Sequence, residues 1–259
     1  MDLGIAGRKA LVCASSQGLG LACAAALARE GVSVTLNGRD PGRLSAAQTS
    51  LRPMAAGKVA TLVADLGTDD GRARLAEAAG GVDILINNNA GPPPGQLADW
   101  DHAALLGALE QNMIPASLLI RAAVPGMRAR KFGRIVNITS AMVKSPHPLM
   151  GLSTAARAAL TALAKSVSRD VAVDNVTINN LLPERIDTDR QRFMAERLMR
   201  EQQISLAEAR RQIASTIAAK RFGTPVEFGD ACAFLCSAQA GFISGQNLQL
   251  DGGSYAGLI

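Results

Sequence analysis

Short apolar runs alternate with longer Ala- and Leu-rich segments along most of the chain. Residues 9–14, 32–37, 58–64, 83–87, 134–139, 176–182 and 247–251 read as strands. Between them, 19–30, 43–51, 70–80 and 153–173 read as helices, and Gly31 is placed to end the first. The stretch 100–131 predicts two long helices with a break near Pro115 or Pro125. Strands separated by helices at this rhythm build βαβ units and a parallel sheet. The strands are continuous apolar runs, as expected where helices cover both faces. No linker, repeat or low-complexity tract interrupts the rhythm. Residues 1–259 therefore read as one α/β doubly wound domain with a seven-stranded parallel sheet.

The segment 188–220 departs from the rhythm. It is long, helical and Arg-rich, and Ser205 followed by Glu208 fits a capping box, so a second helix is predicted to start there. Ligands of open α/β sheets bind beyond the carboxyl ends of the strands, which makes this insertion a lid candidate. Its Arg190, Arg192, Arg197, Arg200, Arg210 and Arg211 face Asp189, Glu196, Glu201 and Glu208 in sequence. Such a set either greets an anionic substrate or forms a solvated face laced with ion pairs.

Composition narrows the class. Hydrophobic residues make up 48% of the 259 and charged residues 19%, a globular balance. A net charge of +5 makes no case for nucleic-acid binding. Cys13, Cys23, Cys232 and Cys236 contain no CxxC and are too few for a disulfide framework. Cys232 and Cys236 share one helix face and read as buried thiols. With only His102 and His147, no metal site is expected. The absence of a signal-peptide core and of any run of 18 apolar residues predicts no leader, no membrane span and a cytoplasmic protein.

Chemistry concentrates after the strands. The first strand runs through Ala14-Ser15-Ser16-Gln17-Gly18-Leu19-Gly20 into a helix. Gly18 and Gly20 there let the backbone approach a pyrophosphate at the helix N-terminus. The turn from Cys13 to Gly20, Asn88-Asn89-Ala90-Gly91, Arg221-Phe222-Gly223-Thr224-Pro225, Ser244-Gly245-Gln246 and Asp251-Gly252-Gly253 follow one another as in one family. Through them the chain resembles the short-chain dehydrogenase/reductases over nearly its full length, and 3-oxoacyl-acyl-carrier-protein reductases most in overall pattern. The resemblance implies a Rossmann-type fold, a nicotinamide dinucleotide and a carbonyl/alcohol substrate. It places the cofactor against Ser15, Gln17, Gly18, Leu19, Gly20, Asp65, Leu66, Asn89, Ala90, Gly91, Pro183, Ile186 and Thr188. After the second strand, neither Asn37 nor Gly38 is acidic, while Arg39 can meet a 2′-phosphate bidentately. NADP(H) is therefore expected over NAD(H), although Asp40 follows.

The catalytic centre departs from the family. Its Asn and Ser positions match Asn112 and Ser140. Its Tyr-x-x-x-Lys, due thirteen residues after that serine, appears as Ser153 and Arg157. The sole tyrosine, Tyr255, lies near the C-terminus, and no register shift recovers the missing one. A serine hydroxyl is a far weaker acid than a phenol, and arginine does not deprotonate usefully. Loss of general acid–base help, worth ~10²–10⁴-fold, implies a slow enzyme. Three substitutes present themselves: His147, Lys144, and a relay through Ser140, Ser153 and water. Glu184 stands where the family has glycine, as a proton relay or an ion-pair partner of Arg185. Ala14 replaces the first motif glycine, and one extra Asn, Asn87, precedes a rigid 91–95 Gly-Pro-Pro-Pro-Gly loop.

The reading is an atypical NADP(H)-dependent oxidoreductase. The alternatives are a non-catalytic nucleotide-binding sensor or partner protein, and a non-redox reaction on the same scaffold. By resemblance a homotetramer or homodimer is expected, with close packing through Ala155, Ala156, Ala159 and Ala162.

Overall fold

The structure, a computed structural model, describes residues 2–258. Its strands are β1 (Lys9–Val12), β2 (Ser33–Gly38), β3 (Val59–Val63), β4 (Ile84–Asn87), β5 (Gly133–Ile138), β6 (Val176–Pro183) and β7 (Asn247–Leu250). They form one parallel sheet in the order β3-β2-β1-β4-β5-β6-β7. The order reverses between β1 and β4, so a crevice opens beyond their carboxyl ends.

Strand periodicity sends alternate residues to opposite faces, and each face carries its own core. Ile84, Ile86 and Val136 face α1 (Gly18–Arg29), α2 (Pro41–Leu51) and α9 (Pro225–Cys236). Leu85, Ile135 and Ile178 face α3 (Asp69–Gly80), α5 (Ile114–Ala129) and α6 (Gly151–Val171). Helices α1 and α9 touch at Gly229, where a Cβ would stand 2.4 Å from the Ala22 carbonyl oxygen. Continuous apolar character holds for the central strands only. Edge strand β3 exposes Ala60, Thr61 and Val63, because helices do not cover both its faces.

Several boundaries differ from the pattern. The 100–131 stretch breaks at Met113, between α4 (His102–Asn112) and α5, not at a proline. Pro115 sits in the first turn of α5, where its missing N–H costs nothing, and Pro125 is carried inside the helix. The 28-residue stretch His102–Ala129 is long and apolar enough by length and composition to cross a membrane. Here Leu119, Ile120, Ala123 and Met127 bury that apolar face against the sheet. Helix α2 starts at Pro41, earlier than expected, because Asp40 caps it by accepting from Arg43 N at 2.9 Å. Ala155 and Ala162 lie exposed along α6, but Ala156 lies round the helix and packs inward with Ala108 and Leu152.

The insertion forms a helical hairpin, α7 (Asp189–Gln202) and α8 (Leu206–Ser215), around Ala195, Ala209 and Ile213. Ser205 accepts from Glu208 N at 3.1 Å, but Glu208 turns to Arg211 and Gln212 and does not close the box. A complete capping box instead opens α9, between Thr224 and Glu227.

Candidate active site

The turn after β1 is tied on both sides. Ala14 N donates to Asn37 Oδ1 at 3.2 Å, and the Ala14 carbonyl accepts from Asn88 Nδ2 at 3.1 Å. Ala14 adopts φ +44°, a left-handed conformation that costs an L-residue about 1–2 kcal/mol. Gly20 is required by close approach, since a Cβ there would meet the Ala14 oxygen at 2.5 Å. Ser15 is fully buried, donating to the Val12 carbonyl at 2.7 Å and accepting from Asn37 N at 3.0 Å. Its side chain therefore stitches β1 to β2. Gln17 is the N-cap of α1 yet makes no side-chain cap, so the first-turn N–H groups of Gly18, Leu19 and Gly20 stay available to an anion.

The end of β2 is basic. Arg39 is 77% exposed and meets Asp65 only at 3.8 Å. Arg43, which the sequence reading passed over, reaches Gln17 Oε1 at 3.5 Å and has no carboxylate partner among the described residues. The carboxylate of Asp40 is engaged in capping α2. Asn37 is buried and donates to the Leu62 and Ala64 carbonyls. Asp65 turns one oxygen to Gly67 N at 2.8 Å, and Leu66 is buried beneath it. Two guanidinium groups and an uncapped helix N-terminus thus fit a dinucleotide carrying an extra phosphate.

The three asparagines after β4 have separate tasks. Asn89 Nδ2 donates to the Gln111 carbonyl at 2.6 Å, joining the loop to the end of α4. Asn88 holds the Ala14 carbonyl. Asn87 begins a side-chain ladder across the sheet. Its Nδ2 donates to Asn137 Oδ1 at 2.9 Å, Asn137 Nδ2 to Asn180 Oδ1 at 2.9 Å, and Asn180 Nδ2 to Asn247 Oδ1 at 2.8 Å. These four residues stand in register on β4, β5, β6 and β7. Asn87 Oδ1, at the head of the ladder, has no protein partner. It lines a cavity of about 20 Å³, room for one water, with Asn112 and Arg157.

Arg157 rises from α6 into this crevice and is buried. Its Nη1 donates to the Ile138 carbonyl at 3.0 Å and the Thr139 carbonyl at 2.7 Å. Its Nε donates to Ser153 Oγ at 3.3 Å, and its Nη2 reaches the Asn89 carbonyl at 3.4 Å. No carboxylate among the described residues pairs with it. Burial, and then the nearby Arg190 charge, pull its pKa down to about 10, so it remains a cation at neutral pH. The carbonyl oxygens at the end of β5 face this charge and help to compensate it. Ser153 accepts from Arg157 and keeps its own hydrogen to give. Ser140 ends β5 half-buried, and its Oγ accepts from Met142 N at 3.2 Å. Asn112 is buried at the α4–α5 break.

The other candidates sit farther out. His147 is exposed, and its Nδ1 accepts from Leu149 N at 3.3 Å. Lys144 Nζ lies 5.5 Å above the Tyr255 ring, which brings the sole tyrosine to the loop after β5. Thr188 begins α7 with no side-chain cap, Pro183 ends β6, and Ile186 is buried against Gly223. No Glu184–Arg185 ion pair is formed among the described residues. Arg185 is held at φ +55° with its Nε buried and unpartnered, and Arg210 takes Asp187 bidentately at 2.7 and 3.1 Å instead. Arg192, Arg197 and Arg211 pair with Glu196, Glu201 and Glu208, the solvated face that the sequence allowed. Arg190 and Arg200 have no carboxylate partner among the described residues. The four cysteines are free and buried, and burial pushes the Cys13 thiol up to about 12, so it is inert. Among the described residues no cluster could hold a metal.

The chain is similar to known proteins over nearly its full length. Residues 13–255 match the family described as enoyl-(acyl carrier protein) reductase. NADPH-dependent reductase BacG of Bacillus subtilis is 33% identical over 252 residues, 95% of this chain and 97% of that protein. Dehydrogenase/reductase SDR family member 4 of Bos taurus is 34% identical over 254 residues, 96% of this chain and 88% of that one. The structure of L-sorbose reductase from Gluconobacter frateurii, complexed with NADPH and L-sorbose, superposes with a TM-score of 0.94. It shares 30% identity and full coverage of both chains.

Proposed function

The chain belongs to the short-chain dehydrogenase/reductase family, and from that premise we propose that it is an NADP(H)-dependent oxidoreductase of a carbonyl/alcohol pair. The observation that carries the cofactor choice is the pair Arg39 and Arg43 after β2, Arg43 reaching Gln17, with Asp40 engaged in capping α2 and Asp65 no nearer to Arg39 than 3.8 Å. The first turn of α1 would hold the pyrophosphate, Arg39 and Arg43 the 2′-phosphate, and Asn89, Ala90 and Gly91 the ribose beside the nicotinamide. Thr188 would face the carboxamide. NADP(H), when bound, supplies or accepts a hydride.

The chain's own groups handle the oxygen and its proton. Ser140 and Ser153 present hydroxyls at the end of β5 and the start of α6. Arg157 fixes Ser153 Oγ and places a permanent positive charge where negative charge develops on the substrate oxygen. Proton delivery falls to a relay through Ser153, Ser140 and water, the reading favoured by the hydrogen bond from Arg157 to Ser153 in the crevice, while His147 lies exposed farther out. A 3-oxoacyl-like substrate suits the family. The hairpin α7–α8 would cover it as a lid.

Oxidation of NADPH, followed with a panel of carbonyl compounds, tests the reading. Ser140→Ala is expected to lower turnover by ~10²-fold or more. Arg39→Ala with Arg43→Ala is expected to weaken NADPH binding and spare NADH. Binding of NADPH without turnover of any carbonyl would favour a nucleotide-binding protein without catalysis, a reading supported by the use of Arg157 to clip backbone carbonyls. We also propose a homotetramer or homodimer formed through Ala155, Ala159 and Ala162 of α6, in the cytoplasm, where the four thiols stay reduced. A monomer by light scattering would refute the assembly.

A further inference from the structure

The turn after β1 holds an alanine in a conformation suited to glycine. Ala14 stands at φ +44°, where its Cβ strains it and a glycine would be at ease. Such a residue stays in place only when its surroundings hold it there. Two side-chain amides supply the hold. Asn37 Oδ1 accepts from Ala14 N at 3.2 Å, and Asn88 Nδ2 donates to the Ala14 carbonyl at 3.1 Å. The N–H and the carbonyl lie on either side of the Ala14 Cα. Fixing the direction of both fixes φ and ψ between them.

The Asn37 amide is itself locked by the sheet. It is 1% exposed, and its Nδ2 donates to the Leu62 carbonyl at 3.2 Å and the Ala64 carbonyl at 3.0 Å. Those two acceptors decide which end of the amide faces Ala14. The backbone of Asn37 grips the next residue as well. Ser15 N donates to the Asn37 carbonyl at 2.8 Å, and Asn37 N donates to Ser15 Oγ at 3.0 Å.

The direction of the Ala14 carbonyl matters for α1. A Cβ on Gly20 would stand 2.5 Å from that oxygen, so the first turn of α1 is seated against it. Turning Ala14 to an unstrained conformation would swing the oxygen away and remove the seat. The N–H groups of that first turn are the ones open to an anion.

We propose that Asn37 is the positioning residue of the cofactor site: it holds Ala14 left-handed and so keeps the first turn of α1 set for a pyrophosphate. The assignment rests on the NADP(H) reading above and deepens it. Asn37 acts through Ala14, not on the cofactor. It thereby lets this chain carry alanine at the first glycine of the motif. When the competent turn is only partly populated, the apparent dissociation constant rises in proportion.

The test is a double-mutant cycle read by calorimetric titration with NADPH. Asn37→Val removes the amide and keeps a strand former on β2. It is expected to weaken NADPH binding ~10-fold or more, the scale of one lost hydrogen bond. In an Ala14→Gly background the same change should weaken it less than ~3-fold, because glycine keeps the conformation unaided. Adenosine 2′-phosphate, which has no pyrophosphate, should bind all the variants as it binds the wild type. Equal losses of NADPH affinity in the two backgrounds overturn the proposal, since Asn37 would then only tie β2 to β3. So does a matching loss of adenosine 2′-phosphate, because the end of β2 would then have moved. If the valine variant does not fold, Asn37→Ser, whose hydroxyl falls one bond short of Ala14 N, takes its place in the cycle. NADPH binding to the wild type is measured first, and its absence overturns the cofactor reading. The cycle is then read from urea midpoints. There, coupling between positions 37 and 14 upholds the hold on Ala14, and additive losses overturn it.

Discussion

Replacing Arg157 by Met sets two opposing effects against each other. The guanidinium makes two firm bonds, to the Ile138 and Thr139 carbonyls at 3.0 and 2.7 Å, and two longer ones. A hydrogen bond to a charged group is worth about 1.5–3 kcal/mol net, so the firm pair contributes about 3–6 kcal/mol. Against this stands the cost of burying the charge. The fall of its pKa from 12.5 to about 10 corresponds to about 3 kcal/mol. Methionine restores most of the packing but leaves the carbonyls at the end of β5 without their donor. The balance predicts a loss of about 1–3 kcal/mol in Arg157→Met. At about 2–4 °C per kcal/mol for a chain of this size, Tm should fall by about 2–12 °C. Differential scanning calorimetry of the apo protein measures it directly. An unchanged or raised Tm would mean that desolvation outweighs the bonds, as it does for many buried ion pairs. The clip assigned to Arg157 would then be wrong.

Other substitutions probe separate parts of the fold. Ala14→Gly should stabilise by about 1 kcal/mol, because glycine adopts φ +44° without the Cβ clash; a urea midpoint that does not rise refutes the strain. Glu227 is held at about 2, first by Arg221 and then by the Thr224 backbone. A carboxyl depressed in the folded state stabilises it above its ordinary value of 4.5, and that stability is lost as pH falls from 4.5 toward 2. Glu227→Gln should therefore flatten the acid limb of the stability profile in that window, as read by denaturant midpoints at each pH. Asn137→Leu strands Asn87 Nδ2 on one side and Asn180 Oδ1 on the other, at about 1–3 kcal/mol each, and the same midpoints would register it.

Much of the architecture was legible because the evidence for it is local and repeated. Seven apolar runs separated by helical segments can scarcely build anything but a parallel doubly wound sheet. The glycines of the first turn carry their reason in their identity, since only a missing side chain lets Gly20 approach the Ala14 carbonyl. The break at Met113 was less legible, because a proline in a first helical turn looks the same in sequence as one that ends a helix. Position 37 reads as the absence of an acid at a strand end, yet the structure shows a buried amide that ties β2 to β3 and to the glycine turn. Arg43 was passed over because its relevance depends on Asp40 capping α2, a pairing visible only once the helix start is known. The meeting of Arg157 with Arg190, 33 positions apart, has no local signature. It exists because the sheet order brings α6 and the segment after β6 to one crevice.

The asparagine ladder has a consequence for the electrostatics of that crevice. Each amide donates to the next strand, so the four groups point one way. A chain of this kind has only two fully bonded arrangements, related by turning all four amides over together. One turns an oxygen toward the cavity, and the other an NH₂ group. The first is the one present: an oxygen stands at the Asn87 end, and the amide dipoles run from it across four strands to Asn247 at the edge of the sheet. Reversal would exchange the group offered at Asn87 and the polarity felt at Asn247 together, with no movement of the backbone.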